Sequence, residues 1–201
     1  MRSDGSGRRL YVAAVLVAFV VAAGLVVRHA VAKDATVPES DVVPAWQLRL
    51  RQLIPLYGHR NWVCIVDSAY PAQSREAIET IYVGGDQLEV VRLVLDELAK
   101  AKHVRPVIYC DKELRFVSEK DAPGIEAYRQ ELGRLLGGRE AKEMLHEDII
   151  KLLDTAAQTF RVLILKTDLT LPYTSVFINL DCGYWSPEAE RRLREAMKKA
   201  R

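Results

Sequence analysis

Short apolar runs alternate with amphipathic stretches from residue 44 to the end of the chain. Five of the runs are rich in β-branched residues and are bounded by polar, Gly or Pro residues, which is typical of buried strands. They cover residues 62–66, 77–83, 104–110, 162–166 and 175–180. The pattern therefore predicts a sheet of at least five strands.

Between these runs, apolar residues recur at helical spacing and predict five helices. The helices cover residues 44–54, 86–102, 125–136, 148–160 and 186–201. Asp86 can cap the second helix, and Ser186 with Pro187 can begin the last. Strands that alternate with helices indicate one α/β domain over residues 44–201. Residues 139–146 fit neither pattern.

The N-terminal region has a different pattern. Residues 10–27 form a run of 18 residues without a charge, close to the roughly 17–25 residues that span a bilayer as a helix. The three arginines within residues 1–9 predict a cytoplasmic N-terminus, so that the domain lies outside the cytoplasm, in the periplasm of a Gram-negative cell. We therefore expect a single-pass transmembrane signal anchor at 10–27, followed by a linker at 28–43.

The alternative is a signal peptide that is cut after residues 30–32, an Ala-Val-Ala sequence, to give a secreted protein. The anchor is favoured because the apolar run is longer than the roughly 7–15 residues of a signal peptide. Charged residues between the run and the cleavage sequence favour it as well.

Composition narrows the function classes. Hydrophobic residues make up 49% and charged residues 28% of the chain, as in ordinary folded proteins. A formal charge of +2 gives no indication of nucleic-acid binding. The three cysteines, Cys64, Cys110 and Cys182, are widely spaced and indicate buried free thiols instead of a disulfide framework or a zinc site. The sequence contains no motif for a metal or an organic cofactor.

Candidate chemistry flanks the first strand. His59 lies just before the run at 62–66, and Asp67 follows it directly. An imidazole and a carboxylate on one short element suit acid/base chemistry on a small polar molecule. The same two residues could also be ordinary surface residues beside a core strand.

A second polar segment, residues 166–175, connects the last two predicted strands. It offers the phenol of Tyr173 and the hydroxyl of Ser175 at a strand entrance. Hydroxyl and carboxylate groups suit sugar binding, because each sugar hydroxyl both donates and accepts hydrogen bonds. Alternatively, the Tyr173 ring caps the core.

Together the two segments resemble the D-ribose pyranase and L-fucose mutarotase family, also called RbsD/FucU. The first match is Gly58-His59, a strand that ends in Asp67, and the loop Pro71-Ala72-Gln73-Ser74. The second is Thr167-Asp168 followed by Tyr173-Thr174-Ser175. The resemblance covers about residues 46–184, and the first loop is closer to the fucose branch. Two residues depart from the family pattern: Ser175 stands for an Asn, and Gln73 for the fucose-branch His.

The resemblance implies an RbsD-like mixed sheet with helices on both faces. It also implies an isomerase, a monosaccharide mutarotase, that interconverts forms of a fucose- or ribose-like sugar without a metal or cofactor. Members assemble as rings with the site near a subunit boundary, so we expect a homo-oligomer, a pentamer or a decamer. The alternative is a non-catalytic, membrane-tethered sugar-binding or scaffold protein of the same fold.

The same resemblance assigns roles to residues. His59 would be the catalytic acid/base group, and Asp67, Tyr173 and Ser175 would bind the substrate. The family's additional basic residue falls on Lys151 by spacing, or on His146 if an insertion follows it; His146 matches the ribose-branch His-Glu-Gln better.

Overall fold

The computed structural model describes residues 43–200, and its centre is a six-stranded mixed sheet. The strands are β1 (Trp62–Val66), β2 (Ile78–Tyr82), β3 (Val104–Asp111), β4 (Ala141–Met144), β5 (Val162–Lys166) and β6 (Val176–Cys182). Their order is β2-β5-β1-β6-β3-β4. β5 runs parallel to β1 and β2, β4 runs parallel to β3, and β6 is antiparallel to both β1 and β3. The predicted mixed α/β sheet is confirmed.

Five helices surround the sheet within the described range. They are α1 (Ala45–Leu53), α2 (Gln87–Ala99), α3 (Ile125–Leu136), α4 (His146–Ala156) and α5 (Pro187–Lys199), with short 3₁₀ turns at Ile54–Leu56 and Lys112–Phe116. The start signals of two helices work as predicted. The Asp86 carboxylate accepts the Glu89 N–H at 2.8 Å, and the Ser186 hydroxyl accepts the Ala189 N–H at 3.1 Å.

Helices cover both faces of the sheet because successive side chains of a strand point to opposite sides. In β1, Val63 and Ile65 join one apolar cluster with residues of α1, α2 and α3. Trp62 and Cys64 join a second cluster with residues of α4. All five residues of β1 are buried, as expected of a strand covered on both faces. The predicted helices on both faces are confirmed, whereas α5 buries no residue against the described domain.

Residues 139–146 had no predicted structure, and the predicted bounds of the helix that follows them are wrong. Residues 141–144 form β4, a polar edge strand that pairs only with β3. Helix α4 spans His146–Ala156 instead of 148–160. Its first N–H, on His146, donates to the Glu113 carboxylate, with distances of 3.2 and 3.1 Å to the two oxygens. That cap comes from 33 residues away, so no local signal could indicate it.

The cysteines are free, and Cys64 and Cys110 are buried as expected. Cys182 is only partly buried, because it is the last residue of β6. Within residues 43–200, every helix is too short or too polar to cross a membrane. The predicted anchor at 10–27, the cytoplasmic segment 1–9 and most of the linker at 28–43 lie outside the described residues.

Gly183 marks a close approach between the end of β6 and the start of β3. A Cβ at this position would lie 2.5 Å from the Lys102 carbonyl oxygen and 2.9 Å from the Val104 nitrogen. Both atoms belong to the backbone, which the Val104–Cys182 pair and the Gly183 N–H bond to the His103 carbonyl hold in place. We expect Gly183→Ala to destabilise the domain by about 1–3 kcal/mol, as overpacking does.

The matched control is Gly133→Ala. Gly133 lies inside α3, where a Cβ meets nothing within 4 Å, so alanine should stabilise the domain by about 0.5–1 kcal/mol. Urea unfolding of the two variants measures both changes. Equal effects of the two substitutions would contradict the assigned close approach.

Candidate active site

Polar side chains from four strands lie together at one edge of the sheet. This edge runs across the ends of the strands and is not an edge strand. β6 is antiparallel to its two neighbours, so its first residues lie beside the last residues of β1 and β3; Val176 pairs with both Ile65 and Cys110. β4 ends beside Asp111 through the pair Asp111–Met144. Four side chains therefore meet at this edge: Asp67 after β1, Ser175 before β6, Asp111 at the end of β3, and His146 after β4.

Asp67 is held by its neighbours on both oxygens. Its Oδ1 accepts the Ala69 N–H at 2.9 Å, and its Oδ2 accepts the Ser175 hydroxyl at 3.1 Å. Asp67 and Ser175 are both buried. The carboxylate is thus fixed in orientation before any ligand binds.

His146 is bonded to Asp111. The imidazole Nδ1 lies 3.1 Å from Asp111 Oδ1. The Asp111 side chain has no exposed area, whereas the His146 side chain is 25% exposed. One nitrogen of the ring therefore contacts a buried carboxylate, while part of the ring is accessible to solvent.

The pKa values of this pair reflect its environment. The hydrogen bond to Asp111 raises the pKa of His146 above its ordinary value, while burial acts in the opposite direction. Burial raises the pKa of the Asp111 carboxyl, and the hydrogen bond between Asp111 and His146 opposes that rise. The negative charges of Glu113 and Asp67 add to the rise at Asp111. The pair can therefore hold a proton to higher pH than an isolated imidazole.

Aromatic rings surround the imidazole. Tyr70 and Tyr173 meet the His146 ring edge to face, with centroids 6.4 and 5.6 Å away. Tyr70 is buried, and its burial raises the pKa of its phenol. Tyr173 is 39% exposed, so its ring presents an apolar surface beside the His146 imidazole.

A buried network holds the loop that presents Tyr173. The Thr174 carbonyl accepts hydrogen bonds from the Gln87 amide at 2.6 Å and the Tyr128 hydroxyl at 2.7 Å. The Thr167 hydroxyl lies 2.9 Å from Gln87 Oε1 at the other end of the loop. Tyr173 itself adopts φ = 57°, a left-handed conformation that costs a non-glycine residue roughly 1–2 kcal/mol. The network fixes the backbone on both sides of this strained residue.

Four of the five site residues predicted from sequence lie together at this edge: Asp67, His146, Tyr173 and Ser175. Their sugar-binding roles stay predictions. Of the two candidates for the additional basic residue, Lys151 is exposed on α4 and pairs with Asp148. His146 is the basic residue at the edge.

Within one chain, His59 does not lie with Asp67 and Tyr173, contrary to the expectation from the sequence. His59 precedes β1, and the neighbouring Arg60 N–H donates to the Leu180 carbonyl near the end of β6. β1 is five residues long, about 16 Å at 3.3 Å per residue, so His59 and Asp67 lie at opposite ends of the strand. His59 and Asp67 flank the same strand, but the length of that strand keeps them apart. His59 instead lines an open depression of about 510 Å³ with Arg105, Asp181 and residues of α5.

Sequence reasoning missed three residues of the site: Asp111, Tyr70 and Glu113. Asp111 directly follows the apolar run 104–110, just as Asp67 follows 62–66, so the same strand-end rule could have found it. Tyr70 lies in the loop after Asp67 without a pattern that distinguishes it. Glu113 acts through a backbone N–H that is distant in sequence and carries no signal.

Comparisons with known proteins give structural matches only. No model of a protein family matches the chain, and no curated protein matches it. Among solved structures, RbsD of Bacillus subtilis complexed with D-ribose aligns at 15% identity and a TM-score of 0.48, over 70% of this chain and 94% of that one.

Two further structures are similar to this chain. The fucose mutarotase of Streptococcus pneumoniae in complex with L-fucose aligns at 17% identity and a TM-score of 0.43, over 65% of this chain and 89% of that one. FucU of Bifidobacterium longum aligns at 11% identity and a TM-score of 0.42, over 69% and 95%.

The Asp111–His146 pair predicts a pH dependence of stability. Because the folded-state pKa of His146 lies above the unfolded value of about 6.5, the contribution of the pair is fully present below that pH and is lost as pH rises through the folded pKa. The free energy of unfolding should therefore fall as the pH rises from about 6.5 through the folded-state pKa of His146. His146→Gln should reduce that fall.

Urea unfolding at several pH values measures the effect. The control is His59→Gln, which leaves the Asp111–His146 pair intact and should keep its contribution. An identical pH dependence in wild type and His146→Gln would contradict the assigned pair.

Proposed function

We propose that residues 44–201 form a monosaccharide mutarotase that opens and recloses the sugar ring by acid/base catalysis. One observation carries the proposal: an imidazole, a fixed carboxylate and a partly exposed tyrosine from separate strand ends meet at one edge of the sheet. The resemblance of the segments around Asp67 and Tyr173 to the mutarotase family supports the same conclusion.

Ring opening needs a group that both takes and gives a proton. A base removes the proton of the anomeric hydroxyl while the bond between the anomeric carbon and the ring oxygen breaks. The bonding electrons go to the ring oxygen, which takes up a proton, and an open-chain carbonyl forms. Closure on the other face reverses these steps, so the reaction needs neither oxidant nor reductant. His146 suits the task because an imidazole titrates near neutral pH.

The other groups suit binding of the sugar. Asp67 can accept hydrogen bonds from sugar hydroxyls through lone pairs that the Ala69 and Ser175 contacts leave free. The Tyr173 ring can lie against the apolar C–H face of a pyranose and exclude water from it. A fucose- or ribose-like sugar combines both kinds of surface.

His59 keeps a proposed role only through a second copy of the chain. In a ring with sites at subunit boundaries, the depression around His59 of one copy can face the edge around Asp67 and His146 of the next. The two imidazoles would then act as base and acid on one sugar. In such an arrangement, His59 could act with Asp67 and His146 although it lies far from them within one chain.

A second candidate function is sugar binding without turnover. One observation favours it: the Ser175 hydroxyl already donates to Asp67, so it is not free to donate to a ligand. For either function, we propose that the domain lies outside the cytoplasm and is held at the membrane by the anchor predicted at 10–27.

The first prediction of this proposal concerns turnover. Saturation-transfer NMR between the anomers of fucose and ribose should show exchange above buffer with the full chain in detergent. His146→Gln should slow it by about 10²–10⁴-fold, the usual contribution of a general acid/base group. Asp67→Asn should weaken sugar binding.

The control is Asp96→Asn, which changes an exposed carboxylate on α2 that pairs with Arg92 and should leave the rate unchanged. No exchange by wild type, together with calorimetric binding of the same sugars, would replace the catalytic proposal with the binding one. The absence of both exchange and binding would overturn both proposals.

The second prediction concerns His59. If His59 of one copy and His146 of the next share a site, His59→Gln and His146→Gln chains should each be inactive alone. Co-expressed chains with different tags, purified as mixed oligomers, should recover part of the activity, because some boundaries then join two intact residues. Full activity of His59→Gln alone would remove His59 from the mechanism.

A further inference from the structure

Asp111 occupies an unusual position for a carboxylate. Its side chain has no exposed area, and only its Oδ1 has a partner, the His146 imidazole at 3.1 Å. Within residues 43–200, Asp111 Oδ2 is the one buried side-chain oxygen or nitrogen without a hydrogen-bond partner. A buried and half-satisfied carboxylate destabilises a fold, so packing does not account for this residue.

Besides Asp111, three acidic residues from different parts of the fold lie near the Asp111–His146 pair. Glu113, in the 3₁₀ turn after β3, accepts the His146 N–H. Glu147 is the next residue of α4 and is exposed. Asp67, after β1, acts on Asp111. Of these charged groups, Asp111 is the one that hydrogen-bonds to the ring, so it is the group placed to decide which ring nitrogen carries the proton.

We propose that Asp111 is a positioning residue that fixes the tautomer of His146. Its ionised Oδ1 keeps the proton on Nδ1, and Nε2 is thereby the ring atom that exchanges protons with the substrate. The identity of that substrate rests on the proposed mutarotase function, whereas the statement about the imidazole does not. The neutral imidazole is then ready to act as a base through Nε2, and the imidazolium as an acid through the same atom.

The test is NMR of the full chain in detergent with labelled histidine. The signals of His146 are assigned by their loss in His146→Gln. Wild type should show the Nδ1–H tautomer when the ring is neutral. Asp111→Asn should lower the pKa of His146 by about 1–3 pH units, the usual effect of a contacting opposite charge, and Nδ1–H should no longer dominate.

The matched control is Glu147→Gln, which removes an exposed carboxylate beside the same imidazole. It should lower the pKa of His146 less and leave the tautomer unchanged, because solvent screens exposed charges. Asp111→Glu keeps the charge and should preserve the raised pKa better than Asp111→Asn does. An unchanged pKa and tautomer in Asp111→Asn would overturn the proposal.

Two further outcomes keep the test decisive. If Asp111→Asn does not fold, the wild-type tautomer alone decides, since a dominant Nε2–H form contradicts the proposal. In a catalytically active protein, the pH profile of sugar exchange should move with the pKa of His146 in Asp111→Asn. If wild type shows the Nδ1–H tautomer but no sugar exchange, the mutarotase function is contradicted and the role of Asp111 is not.

Discussion

The antiparallel placement of β6 between β1 and β3 is the constraint on which the rest of the structure depends. A strand that runs against both neighbours brings its own beginning beside their ends. Because β4 is parallel to β3, its end reaches the same edge. Asp67, Asp111, His146 and Ser175 therefore lie at one end of the strands, whereas His59 lies at the other end.

Burial gives this edge its chemical character. Asp67 is buried and satisfied on both oxygens, whereas Asp111 is buried and satisfied on one. The first arrangement suits a fixed binding group, and the second suits a carboxylate that acts on a neighbouring base. The Gln87–Tyr128–Thr174 network also fixes the loop that holds Tyr173 in a strained conformation beside His146.

Local patterns predicted those parts of the fold that local interactions determine. β1, β5 and α3 have the predicted bounds, because their apolar residues are covered on the faces that the periodicity indicates. β4 and the beginning of α4 were missed, since one is a polar edge strand and the other is capped by Glu113. Asp67 was found by its place after a strand, whereas His59 was misplaced because chain proximity says nothing about the two ends of an extended strand.

The contacts of the site also determine when it can form during synthesis. The bond between Ser175 and Asp67 joins residues 108 positions apart, and the strand between β1 and β3 is the last one in the chain. A chain that leaves the ribosome N-terminus first holds β1 to β5 before β6 is available. The edge that carries Asp67, Asp111, His146 and Ser175 is then among the last features to be completed, and its contacts form only after the whole sheet is in place.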